Sequence, residues 1–193
     1  MARTKQFNED EVLQKAVEIF WKQGYNATSM DDLVKNLGIN RASLYDTFGG
    51  KKQLFQKAIN RYISDNTKAL NSLWNEEGSV REGIKALFDL VIEQAVTDSD
   101  FKGCLVVNTS TELVPGDGEI CETLSQNKTN FEAAFYHYLK KGQEKGEIKS
   151  DKDIRAIAVY LVTVFNGLKV SSKFNTRKEE LRAVVDLTLK ILD

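Results

Sequence analysis

The sequence predicts an all-α protein of about nine helices: a small three-helix N-terminal head containing a helix-turn-helix, and a larger helical body. Three observations carry this. Apolar residues recur three and four apart along most of the chain, the period of a one-sided helix. Capping pairs punctuate it at Asn8/Glu11, Ser79/Glu82, Ser150/Asp153 and Thr176/Glu179. The β-branched residues in the stretch from about 103 to 113 would also fit a strand, but no partner strand is evident, so it too is assigned to a helix.

Met1 to Phe7 is a polar arm with Arg3, Thr4 and Lys5. Asn8 then opens a helix through Val12, Leu13, Ala16, Ile19 and Phe20, ending at Gly24, with Tyr25 packing on its edge. Thr28 is the expected N-cap of the next helix, with Asp31 and Asp32 at the positive end of its dipole and Met30, Leu33, Val34 and Leu37 on its apolar face. Gly38 stops it, Asn40 caps a third helix, and Leu44 and Phe48 turn inward while Arg41, Ser43 and Tyr45 turn outward. Such a pair is either an ordinary helical hairpin or a nucleic-acid reader. A cation, a hydroxyl and a tyrosine on the outer face suit phosphates and base edges.

Gly50 caps a fourth helix of about six turns, running from Lys51 and Lys52 through Leu54, Phe55, Ala58, Ile59, Tyr62, Ile63, Leu70, Leu73 and Trp74. Its N-terminal N–H groups and Lys51 can hold a phosphate, while its far end enters the body. Ser79 opens a fifth helix, a short one spans about 103 to 113, and Pro115-Gly116-Asp117-Gly118 is the clearest loop. Ile120 to Leu139 outlines a long helix ending near Gly142 to Gly146. Ser150 with Asp153, and Thr176 with Glu179, cap the last two.

The motifs Thr28-Ser29-Met30, Leu37-Gly38-Ile39, Ser43-Leu44-Tyr45, Phe48, Lys51 and Leu54-Phe55 resemble the N-terminal DNA-binding domain of the tetracycline-repressor (TetR) family of bacterial regulators, over about residues 9–62. The remainder resembles the family only in length and helical pattern. The resemblance implies a ligand-responsive repressor with residues 1–50 as the DNA-binding domain and 51–193 as the effector-binding and dimerisation domain. It implies operator DNA held by Thr28, Asn40, Arg41, Ser43, Tyr45, Thr47 and Lys51, and a homodimer formed by the last two helices. Two positions depart from the common pattern: Asp46 stands where histidine is frequent, and Gly49-Gly50 replaces Pro-Ser. A carboxylate there either accepts from a cytosine amine or repels phosphate. The basic arm is either a free tail or a minor-groove contact.

The totals agree. The chain has 193 residues, formal charge −1, one proline, two cysteines and no apolar run near the ~18 residues of a membrane span. No signal-peptide core precedes the first helix, so a reducing cytoplasm is expected and a membrane is not. Residues 1–62 carry ten Lys/Arg against seven acids, leaving −4 on the rest, which suits contact with DNA at one end.

No cluster with metal-ligand spacing, phosphate loop or nucleophile elbow is present, so neither enzyme activity, cofactor nor metal is expected. His137 reads as a surface residue. Cys104 is expected in the first turn of the short helix with Lys102 beside it. It is either a small buried hydrophobe, the commoner case, or a thiol that senses oxidants or electrophiles. Cys121 is a disulfide partner only if the Pro-Gly loop folds back. Candidate effector-pocket residues are Trp74, Phe88, Cys104, Asn108, Phe131, Phe135, Tyr160, Phe165 and Asn166, of which about a third should touch a ligand. The alternatives in other classes are a thiol-based sensor or enzyme at Cys104 and a helical protein-interaction adaptor.

Overall fold

The computed structural model describes residues 7–74, 78–174 and 177–193. These residues form nine α-helices: α1 (Glu9–Gln23), α2 (Met30–Leu37), α3 (Arg41–Phe48), α4 (Lys51–Trp74), α5 (Val80–Thr97), α6 (Leu105–Leu113), α7 (Gly118–Glu144), α8 (Ile154–Ser171) and α9 (Lys178–Leu189). Single 3-10 turns follow at Ser172–Phe174 and Lys190–Leu192, and no strand occurs among the described residues. Apart from Phe7, the N-terminal arm lies outside them, as does Thr176.

The caps explain most boundaries. Asn8 accepts from the Asp10 N–H, Ser79 and Glu82 form a reciprocal capping box, and Asn40 accepts from the Ser43 N–H. Two caps differ from expectation. α2 is capped by Ser29, boxed with Asp32, because the Thr28 hydroxyl is buried and donates to the Gly24 carbonyl at 2.6 Å. The Ser29 hydroxyl and N–H hold Asp32 below the usual carboxylate range. α8 is capped by Asp153 itself, which accepts from Arg155 and Ala156 N–H groups, because a turn at Lys149–Lys152 brings Asp153 to the helix start and leaves Ser150 upstream. At α9 the cap position falls on Arg177, whose side chain makes no capping bond.

Two apolar cores are threaded by α4. Leu54, Phe55, Ala58 and Ile59 join Phe20, Leu33, Leu44 and Phe48 in the head, and Leu105, Ile120 and Leu124 complete that core from α6 and α7. Further along, Leu70 and Trp74 join Phe88, Phe135, Leu139, Leu161 and Leu181 in the body. α3 is anchored by only two buried residues, Leu44 and Phe48, each contributing about 2 kcal/mol. That leaves the rest of its surface outside.

Ile154–Phe174 has the length and apolarity of a membrane span, at mean hydropathy 1.4, which departs from the expectation of no such run. Ile154, Ile157, Ala158, Leu161, Val162 and Leu168 point into the body core, and Val159 and Tyr160 lie on the exposed side. The helix is apolar on two faces, one buried and one uncovered.

Candidate nucleic-acid interface and effector cavity

α3 carries Arg41, Ala42, Tyr45 and Asp46 to the surface, with Ser43 and Thr47 half-buried beside them. Arg41 and Tyr45 are one turn apart and share a face. The Arg41 guanidinium reaches Asp31 of α2 at 2.9 Å, and Tyr45 is 50% exposed with its ring edge against Gly50. Asn40 is turned to its own helix, accepting from Ser43, and the Thr47 carbonyl accepts from Lys57 at 3.5 Å. Lys51, in the first turn of α4, lies 4.3 Å from the centroid of the Tyr25 ring, so Tyr25 packs and also orients a cation. Thr28 is 0% exposed, and its hydroxyl is committed to Gly24, so it is placed to fix the α1–α2 turn rather than to meet phosphate.

Lys52 does not face outward with Lys51. It pairs with Asp117 at 3.1 Å and Glu119 at 2.9 Å at the start of α7, which hold it above its ordinary value, while the Ile120 N–H and then Lys52 hold Asp117 below its own. Gln56 donates to Thr123 of α7 at 2.8 Å. Glu112 in the last turn of α6 accepts from the backbone N–H groups of Tyr25 at 3.0 Å and Asn26 at 2.6 Å, ahead of α2. Neither Glu112 nor the Lys52 clasp is visible in sequence, since each is one polar residue on an amphipathic helix whose partner lies more than 60 positions away.

A family model described as bacterial regulatory proteins, tetR family, matches residues 12–58, and one described as tetracyclin repressor-like, C-terminal domain, matches residues 81–187. The chain belongs to the TetR family. It is 34% identical to the HTH-type transcriptional regulator YezE of Bacillus subtilis over the whole of both chains. It is 31% identical to the HTH-type transcriptional repressor ComR of Escherichia coli, over 98% of this chain and 90% of ComR. Among solved structures it is similar to a cysteine-substituted form of the TetR-family transcriptional regulator CifR in complex with 26-bp double-strand operator DNA. That match has TM-score 0.89, 28% identity and full coverage of both chains. The chain is thus a TetR-family helix-turn-helix transcriptional regulator.

In this TetR-family body a cavity of about 140 Å³ lies between α4, α5, α6, α7 and α8. Cys104, Phe131, Phe165 and Asn166 line it, together with Tyr62, Asn66, Gln94, Asn127 and Lys169, which sequence reading did not single out. Trp74, Phe88 and Phe135 do not line it. Trp74 stacks on Tyr138 at 4.3 Å and meets Phe135 edge-on, and Phe88 and Phe135 are fully buried, so their ring faces are already used in packing. Asn108 is taken up between the Lys102 carbonyl and the Lys173 ammonium, and Tyr160 lies on the surface.

Cys104 is buried at the cap position of α6, one residue ahead of the first turn, and the Tyr62 hydroxyl donates to its Sγ at 3.7 Å. Burial, with the Cys104 sulfur next to it, pushes the Tyr62 hydroxyl far above its ordinary value, so it stays protonated and keeps its proton for the Cys104 sulfur. Lys102 is directed away from the thiol, to Glu18 at 3.2 Å and over the Trp21 ring. Cys104 and Cys121 are both free, and His137 is exposed against Tyr136.

Proposed function

We propose that this chain is a homodimeric repressor that holds operator DNA through α3 and the start of α4, and releases it when a small molecule occupies the body cavity. The observation that carries the reading is the outer face of α3. Arg41 and Tyr45 stand one turn apart on a helix anchored only from behind, beside the N–H groups and Lys51 that open α4. In this reading Arg41, Ser43, Tyr45 and Thr47 lie in the major groove, Asn40 sets the start of the reading helix, and Lys51 takes a phosphate. The dimer is supported by the exposed apolar residues Val159, Tyr160, Val184 and Leu187 on the last two helices, a surface that a two-fold partner would cover. A DNA partner supports a cytoplasmic location.

Fluorescence anisotropy against DNA from upstream of its own gene, beside scrambled DNA over a salt series, tests this directly. The expected result is preference for the upstream DNA with affinity falling steeply in salt. Lys51→Ala should reduce the salt slope by about 1, and Arg41→Ala should also relax sequence choice. Unchanged binding in Arg41→Ala, Tyr45→Ala and Lys51→Ala would overturn the assignment. A thiol-reactive release is the second reading, supported by the position of Cys104 on the cavity wall. It fails if Cys104→Ser protein still leaves DNA when a thiol reagent is added.

A further inference from the structure

Eighteen described residues line the cavity, and one of them carries a formal charge: Lys169 of α8. Its ammonium donates to the neutral Oε1 of Gln94 at 2.8 Å and lies 5.8 Å from the Phe165 ring centroid. Among the described residues no carboxylate stands within ion-pair distance of it. Asp98 acts on it from beyond ion-pair distance, and that carboxylate is already accepting from the Lys102 and Gly103 N–H groups. Burial lowers the Lys169 pKa, opposed by Cys104 and Asp98. The other walls are largely apolar, with Leu70, Leu87, Phe131 and Phe165 among them. A half-buried cation facing an apolar space without a counter-ion is the electrostatic complement of an anion with an apolar body.

We propose that the cavity takes a small organic carboxylate, its charged head on Lys169 and a body about one aromatic ring in size against Phe131 and Phe165. The size follows from the volume, since a cavity of about 150 Å³ accommodates a benzene-sized ring. Asn166, one turn before Lys169 on α8, and Asn127 of α7 also line the cavity and supply amide donors for the second carboxylate oxygen. The inference rests on reading the cavity as the effector site, and it adds the chemical class that this chain's own residues select.

Isothermal titration of the full-length protein with benzoate, benzamide and acetate tests the class. Wild-type protein should bind benzoate about tenfold or more tightly than benzamide, the usual worth of a hydrogen bond to a charged group. Lys169→Met should bring the two to equal affinity, and Lys169→Arg should restore the preference. Equal binding of benzoate and benzamide by wild type, binding of neither, or a preference that survives in Lys169→Met would overturn the proposal. Acetate binding as tightly as benzoate would overturn the part assigned to the apolar walls. The same ligands added to the operator-anisotropy assay separate the two readings. Selective benzoate binding without any change in operator affinity supports the carboxylate site and refutes its role as the effector site.

Discussion

Replacing Glu112 by alanine removes the carboxylate that joins the body to the turn ahead of the helix-turn-helix. Two backbone N–H groups, of Tyr25 and Asn26, lose a charged acceptor at 3.0 and 2.6 Å. Hydrogen bonds to charged groups are worth about 1.5–3 kcal/mol each. The site is half-open, Asn26 being exposed, so water replaces part of the loss and the net cost is about 2 kcal/mol. For a chain of this length each kcal/mol shifts Tm by about 2–4 °C, so thermal unfolding followed by circular dichroism should show a fall of about 4–8 °C. Glu112→Gln keeps one acceptor oxygen and should fall between. Gly24→Ala offers an independent route to the same contact. Gly24 has φ +81°, and a Cβ there would stand 2.9 Å from Glu112 Oε2, so the alanine both strains the backbone and displaces the carboxylate. The double variant should then lose less than the sum of the singles, because both act on one interaction. A Tm change of less than about 1 °C in Glu112→Ala would refute the reasoning.

Thr28→Val should cost about 1 kcal/mol in denaturant unfolding, since it keeps the shape but leaves the Gly24 carbonyl without its 2.6 Å partner; no loss would mean water replaces the hydroxyl there. Leu187→Asp, at a residue 66% exposed on α9, should convert the proposed dimer to monomer by sedimentation and abolish operator binding, whereas a persistent dimer would exclude this face. Lys169 has a lowered pKa, so its charged form disfavours the folded state. The penalty is complete below the folded pKa and vanishes above the ordinary value of 10.5. Lys169→Met should therefore be more stable near neutral pH in denaturant unfolding, with a gain that shrinks as pH rises towards 10.5; a pH-independent gain would contradict this.

The head was legible because its boundaries are local. Gly38 adopts the left-handed conformation at φ +71°, and Asn40 caps α3, so residues adjacent in sequence decide the turn. Thr28 and Ser29 show where local signals stop: both have hydroxyls suited to a cap. What selects Ser29 is the burial of Thr28 against Gly24, a consequence of α1 packing that no spacing encodes. The cavity is harder still. Trp74, Phe131 and Phe165 are all aromatics on amphipathic helices, yet Trp74 is held by Tyr138 of α7, while Phe131 and Phe165 keep ring surface for the cavity. Lys169 reads in sequence as one more lysine near a helix end. Its distinction is that, among the described residues, its ammonium is held by the neutral Gln94 of α5 and not by a carboxylate, which only the packing of α5 against α8 determines.

That packing also constrains how cavity and DNA face communicate. α6 has its cap Cys104 and Val106 on the cavity side and Glu112 in its last turn on the α1–α2 turn, eight residues and about 12 Å from Cys104. Leu105 is buried in the head core, so the helix is fastened to the head at its start as well as at Glu112. A helix held at both ends transmits displacement rather than absorbing it. The Lys52 pairs to Asp117 and Glu119 tie α4 to α7 in the same way, one residue from Lys51. An effector acts on such a body only through the difference in its affinity for two positions of these helices, each tenfold difference supplying about 1.4 kcal/mol. Losses of about 2 kcal/mol at the Glu112 contact are of that size. Under the proposed release by a cavity ligand, the two hydrogen bonds at the α1–α2 turn are of the right strength to couple the reading helix to α6 and still let a modestly selective ligand shift the balance.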